Sequence, residues 1–242
     1  MKKSLFLLSM MTICLPAVAQ TEKVSDIDYF RNEIRIISSD EFGGRKPMSE
    51  YEPITINHIA QQFKEIGLQP AYGESYFQPV REISSLTRLE KDKLTVKGSK
   101  KTVNIVYGED VVVWSHRNAE KVDIKNAEIV FAGFGIDDPK FNWNDFDGLD
   151  VKGKIILAMV NDPGYYNNDL FRGKNMTYNG RWCYKFEEAE RKGALGCLVI
   201  HNTAAASYSF QVCRTSYMQR NISLLNENAN KDVLGMRGWI AE

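Results

Sequence analysis

Histidine is the scarcest chemical resource in this 242-residue chain, which holds only His58, His116 and His201. They are scattered, no H-E-x-x-H occurs, and none is followed two places later by aspartate: the runs are His58-Ile59-Ala60, His116-Arg117-Asn118 and His201-Asn202-Thr203. A zinc centre needs imidazole, thiolate or carboxylate donors that converge on one point, so each histidine reads as structural. No C-x-x-C spacing exists among the four cysteines, which argues against a structural zinc site. The G-x-S-x-G elbow of a serine hydrolase is missing as well. Ser207 and Ser209 lie near His201 in sequence, but nearness in sequence is not triad geometry. Gly133-Phe134-Gly135 lacks the third glycine of a dinucleotide fingerprint and runs into Asp137-Asp138, two acids that would repel a pyrophosphate. It reads as a bend or close approach in a strand. An excess of one charge sign is also lacking. Lys+Arg and Asp+Glu both number 31, so neither a nucleic-acid surface nor an acidic tail is indicated.

The first residues read as an export signal rather than as fold. Lys2-Lys3, the apolar run Leu5 to Leu15 and Ala17-Val18-Ala19 form the charged, apolar and small-residue parts of a secretory signal, residues 1–19, with cleavage expected after Ala19. The run is too short for a stable membrane anchor, and a lipid-anchored reading at Cys14 is disfavoured by bulky Ile13 before it. The expected location is therefore exported, periplasmic or extracellular, with no membrane anchor after cleavage. Loss of Lys2 and Lys3 leaves 29 basic against 31 acidic residues. Cys183, Cys197 and Cys213 remain, enough for one disulfide with three possible pairings. Cys197 sits in the apolar run ALGCLVI and reads as a core thiol, which leaves Cys183 with Cys213 as the expected pair.

Ile27, Phe30, Ile34 and Ile37 recur at helical steps, and Asp26 or Ser25 is placed to cap that helix. A second helix is expected from about Ser49 to Ile66, with Ile56, Ile59, Ala60, Phe63 and Ile66 as its stripe and Gly67 as its stop. KLTVKGSKKTVNIVYG alternates about Gly98-Ser99 and reads as a hairpin, with EDVVVW a candidate extension of it. NAEIVFAGFGI and KGKIILAMVND are apolar runs of strand length. GRWCYKFEEAERKGALGCLVIHN reads as a helix followed by a buried strand, with Trp182, Phe186 and Ala189 on its apolar face and Glu187, Glu188, Glu190 and Arg191 on the other. GWIAE reads as a strand turning into a helix, so the stop at Glu242 looks like a cut through an element.

Carboxylates are paired at Asp40-Glu41, Asp137-Asp138 and Glu187-Glu188. Neighbouring residues point in different directions, so such pairs need not be pairs in space. Glu187-Glu188 reads as a solvated helix face. Tyr165, Tyr166, Phe171, Tyr178, Trp182 and Tyr184 crowd the segment 165–184. So many rings either pack down as a lid or present a binding face, and packing is the simpler reading.

IISSDEFGGRKP, then INHIAQQFKEIGLQP, then YFQPV resemble the opening of the secreted co-catalytic zinc aminopeptidases, metallopeptidase family twenty-eight. AEIVFAGFGI, FNWNDFDGLDVKGKIILAMVNDPG and MTYNGRWCYKFEEAERKGALGCLVIHNTAAASYSF resemble the protease-associated domain inserted in a subset of those enzymes. Met48-Ser49-Glu50-Tyr51 departs from the Gly-Ser/Thr-x-Gly that often follows G-R-x-P in the family. The resemblance implies an α/β (α+β) fold: the incomplete N-terminal part of a zinc-peptidase α/β domain in 20–103, with two helices and a hairpin, then a protease-associated-like, β-rich domain with helices in 104–242.

In that family the ligands for two zinc ions, beginning with His-x-Asp, follow the inserted domain, and a neighbouring glutamate is the general base. The expectation is thus a chain with no catalytic, cofactor-binding or metal-binding residues of its own, and no cofactor in this chain. The full-length parent would hold two zinc ions and hydrolyse the N-terminal bond of a peptide substrate. The alternative is a non-catalytic peptide- or protein-binding module of the protease-associated type, and a third reading is a non-functional fragment. Asp40-Glu41 then belongs to the link between the first two helices, with Arg45 expected to tie that turn. The one-sided helices would need a sheet to cover them, and the hairpin about Gly98 could cover them only in part.

Overall fold

A computed structural model describes residues 26–228 and 230–242. The expected signal, residues 1–19, lies outside the described residues, as does Ser25. Mixed helices and sheets, among them a five-stranded mixed sheet, make the fold α/β. The chain divides into two compact units, one ending at Pro79 and the other spanning Val80–Glu242.

The first unit is a helical pair, α1 (Ile27–Ile37) and α2 (Glu52–Glu65). The Asp26 carboxylate caps α1 by accepting from the Asp28 and Tyr29 amides at 3.0 and 3.4 Å. Pro53 sits in the first turn of α2, where its missing N–H costs nothing. Gly67, at φ 82°, turns the chain out of α2, and the Leu68 amide reaches back to the Phe63 carbonyl at 2.9 Å. Asp40–Arg45 is a short 3-10 segment whose Gly43 and Gly44 adopt φ 48° and 74°. A Cβ on Gly43 would collide with the Tyr51 ring. Arg45 is exposed, itself at positive φ, and has no side-chain partner among the described residues, so glycine geometry rather than the expected Arg45 tie shapes this turn. Phe42 is the one buried apolar side chain of the unit among the described residues, with its ring edge-on to His58.

The second unit holds β1 (Glu82–Ser85), β2 (Lys93–Lys97), β3 (Thr102–Val106), β4 (Val111–Trp114), β5 (Ile129–Phe131), β6 (Asp137–Asp138), β7 (Trp143–Asn144), β8 (Ile155–Met159), α3 (Trp182–Arg191), β9 (Gly196–His201), α4 (Thr203–Ala206), α5 (Phe210–Tyr217), β10 (Asn221–Leu224) and β11 (Met236–Ala241). The main sheet has the order β4-β11-β9-β8-β5. β5, β8, β9 and β11 run parallel, while β4 joins antiparallel with Val113 opposite Gly238. Parallel strands are buried on both faces, which is why they read as continuous apolar runs.

Alternate residues separate two cores. Val112, Trp114, Ile156, Ala158, Cys197, Val199 and Trp239 join Phe186 and Ala189 of α3 and Cys213 of α5 on one face. Val111, Val113, Ile155, Leu198 and Met236 face the other way, where Leu94 and Ile105 of the β2–β3 hairpin pack. The hairpin turns at Gly98-Ser99 as its alternation indicates. EDVVVW does not extend it: β4 pairs with β11, across more than a hundred residues of chain, because four consecutive buried residues need a sheet that is covered on both faces. The chain passes from one unit to the other at Pro79/Val80, and the hairpin belongs by packing to the second.

Candidate functional site

In open α/β sheets, ligand sites collect beyond the carboxyl ends of the parallel strands. Here that rim is formed by Gly133–Gly135 after β5, Asn161-Asp162 after β8, His201-Asn202 at the end of β9, and Glu242 after β11. Gly133 and Gly135 take φ 50° and 62°. A Cβ on Gly133 would stand 2.7 Å from Asp145 Oδ1, so this glycine pair serves close packing, as its sequence suggests.

Side chains at the rim are largely satisfied by one another. Asn161 Nδ2 donates to the Ala205 carbonyl at 2.8 Å. Asn202 Oδ1 caps α4 by accepting from the Ala205 amide, and its Nδ2 donates to the Glu242 carboxylate at 2.7 and 2.8 Å. Asp162, fully buried, accepts from the Gly164 amide at 3.1 Å, the Thr177 amide at 2.8 Å and Thr177 Oγ1 at 2.6 Å. Beneath it, Lys185 of α3 is 1% exposed. Its Nζ donates to the Asn161 carbonyl at 3.0 Å and to the Asn179 carbonyl. Burial lowers its pKa to about 7, against the raising pull of the Asp145 and Asp162 carboxylates.

Each histidine has partners of its own. His58, in the first unit, pairs with Glu33 at 2.9 Å. His116 Nδ1 stands 3.2 Å from Arg237 Nη1, and Arg237 Nη2 donates to Glu190 Oε1 at 2.6 Å. Burial first, and Arg237 second, lower the His116 pKa to about 4. His201, 2% exposed, lies among the rings of Tyr208, Phe210 and Trp239, and burial lowers its pKa. Among the described residues, no group of three or more His, Cys, Asp or Glu side chains is arranged to hold a metal ion. The donors among the described residues therefore do not fit a pair of zinc ions.

The expected Cys183–Cys213 bridge is not formed. All three described cysteines are free thiols. Cys213 belongs to the α5 core, and burial raises its pKa to about 12, whereas Cys183 lies beside the Tyr178 hydroxyl. Cys197 is the core thiol that its sequence context indicates, fully buried on β9.

Two further expectations are corrected. Glu188 does not lie on a solvated face: it is 4% exposed, with Arg191 Nε and Nη2 at 2.8 and 2.5 Å and Lys192 Nζ at 3.6 Å. Glu190 likewise turns inward, accepting from the Leu234 amide at 2.9 Å as well as from Arg237. Of the Asp137-Asp138 pair, one carboxylate takes Lys192 and the other takes the Lys140 amide and Asn179 Nδ2, so the two neighbours in sequence turn to different partners.

The aromatic segment divides between the two roles open to it. Tyr184 is buried, and Phe171 is stacked on Phe141 at 4.4 Å. Tyr166 and Tyr178 remain more than half exposed. Trp182 lines a cleft of about 210 Å³ with Tyr208, Val212, Cys213, Tyr217 and Trp239. No described helix is long and apolar enough to cross a membrane.

No protein-family model matches the sequence, and no curated protein does. Among solved structures, the aminopeptidase from Aneurinibacillus sp. strain AM-1 is similar over 90% of this chain and 38% of its own length, at 18% identity and a TM-score of 0.34.

Proposed function

We propose that this chain is the front portion of an exported, zinc-dependent aminopeptidase-like protein, and that by itself it does not catalyse peptide hydrolysis. The motif order SSDEFGGRKP, GLQP, YFQPV supports the first part. The observation that carries the second is the dispersal of donors: Glu33, Arg237 and an aromatic cage each claim one histidine. Two zinc ions and the peptide substrate belong, on this reading, to the longer parent protein. Purified chain should show no turnover of aminoacyl-nitroanilides with or without added zinc. Turnover abolished by a chelator and restored by zinc would refute the reading. An in-frame His-x-Asp downstream of Glu242 in the coding DNA would support the aminopeptidase assignment.

The second reading, a peptide- or protein-binding module, is favoured by the cleft at Trp182. Its walls are aromatic, and its volume is below the roughly 300–1,000 Å³ of sites for drug-sized ligands, so one bulky side chain of a peptide is the occupant it suits. A peptide titration lost in Trp182→Ala with an unchanged far-ultraviolet spectrum would favour binding. Equal affinity in the variant would remove the cleft from consideration.

A further inference from the structure

The strongest unexplained group is Lys185, a lysine amine buried beneath Asp162 with carbonyls as its partners. What it touches defines a structural unit. The amides of Tyr165, Tyr166, Asn167, Leu170, Gly173 and Asn175 all bond to carbonyls inside the segment 162–180. Asp162 at one end of that segment binds Thr177 near the other. At the stems, the Asn161 amide donates to the Gly180 carbonyl at 3.0 Å. Lys185 Nζ reaches the Asn161 carbonyl on one stem and the Asn179 carbonyl on the other, so a single amine ties both. Outward attachments lie at side chains: Asn179 to Asp138, Tyr178 to Glu187, Cys183 and the Tyr184 ring, Tyr165 against the main core, the Phe171 ring against Phe141 and Trp143, and Tyr166 against Phe134. Segments with self-contained backbone hydrogen bonds can open locally while the rest of a domain stays folded.

We propose that residues 162–180 form a strap over the carboxyl rim of the sheet that opens as one unit while the sheet stays folded, with Lys185 as its latch. The strap leaves the end of β8 and returns to the start of α3. Its Tyr166 meets Phe134 beyond β5. Opening would uncover Asp162, Thr177 and Lys185, polar groups gathered where sheets of this kind bind ligands.

The latch has a proton signature. Asp145, Asp162, Cys197 and Cys183 are the titratable groups that act on the amine, and burial outweighs them to give a pKa of about 7. An opened strap returns the amine to water, where a lysine titrates near 10.4. Opening therefore takes up a proton between those limits, and becomes rarer as pH rises through that window. Above the lower limit the neutral amine retains two N–H donors, enough for both carbonyls.

Native-state hydrogen exchange, corrected for intrinsic rates, tests the proposal on the whole chain. The amides of Gly164, Thr177 and Gly180 should share one opening equilibrium that lies well above that of β8 and β9 and declines from pH 7 to 9. Lys185→Met should raise that equilibrium about ten- to hundredfold, leave β8 and β9 protected, and abolish the pH dependence. Strap amides that exchange together with β8 and β9 in the unsubstituted chain overturn the strap, an answer that stands even where Lys185→Met does not fold. Strap protection that keeps its pH dependence in the variant overturns the latch.

Discussion

The two compact units bury their apolar residues to very different extents. In the second, Val111, Val112, Val199 and Trp239 are at most 1% exposed, and two cores sandwich the sheet. In the first, Ile27, Phe30 and Ile34 of α1 and Ile56, Ile59 and Phe63 of α2 are each between 38% and 57% exposed. Both sequences are amphipathic, so amphipathicity alone does not bury a face. A helix stripe is stabilised only by a layer that covers it, and the ties between α1 and α2 are polar: His58 with Glu33, and the Tyr29 hydroxyl with Gln62 at 2.9 Å. Unlike Phe30 or Ile59, Trp239 has its neighbours supplied by its own unit.

The largest expected effect tests this contrast directly. Trp239→Ala removes a fully buried ring that touches the rings of Trp182, His201 and Tyr208. It should cost about 3–5 kcal/mol, read as a fall in the urea midpoint. Phe30→Ala, at a position 57% exposed, should shift that midpoint by no more than about 0.5 kcal/mol. A comparable loss at both positions would mean that the α1 face is covered in solution.

An intermediate effect is expected from acid. The folded pKa of His116, about 4, lies below its ordinary value of 6.5. The unfolded chain therefore binds more protons between those values. The contribution of the neutral imidazole is complete above pH 6.5 and is lost as pH falls through about 4. The site is half-buried, so solvent screening reduces the contribution to on the order of 1–2 kcal/mol. Urea midpoints at pH 7 and pH 4.5 should converge in His116→Gln relative to the unsubstituted chain. Midpoints that fall equally in both proteins would place the acid sensitivity elsewhere. The effect belongs to the second unit, where Arg237 holds Glu190 and faces His116 at once.

Local chemistry was legible in the sequence, and long-range chemistry was not. Asp26 as a cap, Gly67 as a stop, the turn at Gly98-Ser99 and the apolar face of α3 depend on residues within one turn or hairpin of each other. The pairing of β4 with β11 does not, since a short apolar run fits an extended hairpin as well as a strand of the main sheet. Lys185 does leave a trace in the sequence: it falls three residues after Trp182 and four before Ala189, on the apolar stripe of its helix. A cation on such a stripe needs buried acceptors, and these come from Asn161 and Asn179 of a loop whose folding no local pattern specifies. Glu188 reads as solvated in the sequence yet is buried, because its burial depends on Arg191 and Lys192 closing over it. The dispersal of histidines was visible in their spacing, but what each one touches was not.

The smallest expected effect sharpens the contrast from the other side. Phe63 of α2 is 42% exposed, on the stripe that also carries Ile56 and Ile59. Where no layer covers that stripe, Phe63→Gln removes apolar surface from water without opening a cavity. It exchanges a ring for a residue of good helix propensity, so stability should change by about 0.5 kcal/mol or less in either direction. Self-association should fall, since exposed apolar patches of this kind promote it. Sedimentation across a range of concentrations reads the second quantity and the urea midpoint reads the first. A drop of several kcal/mol with unchanged self-association would mean that Phe63 is packed in solution, and the difference between the two units would then be one of degree.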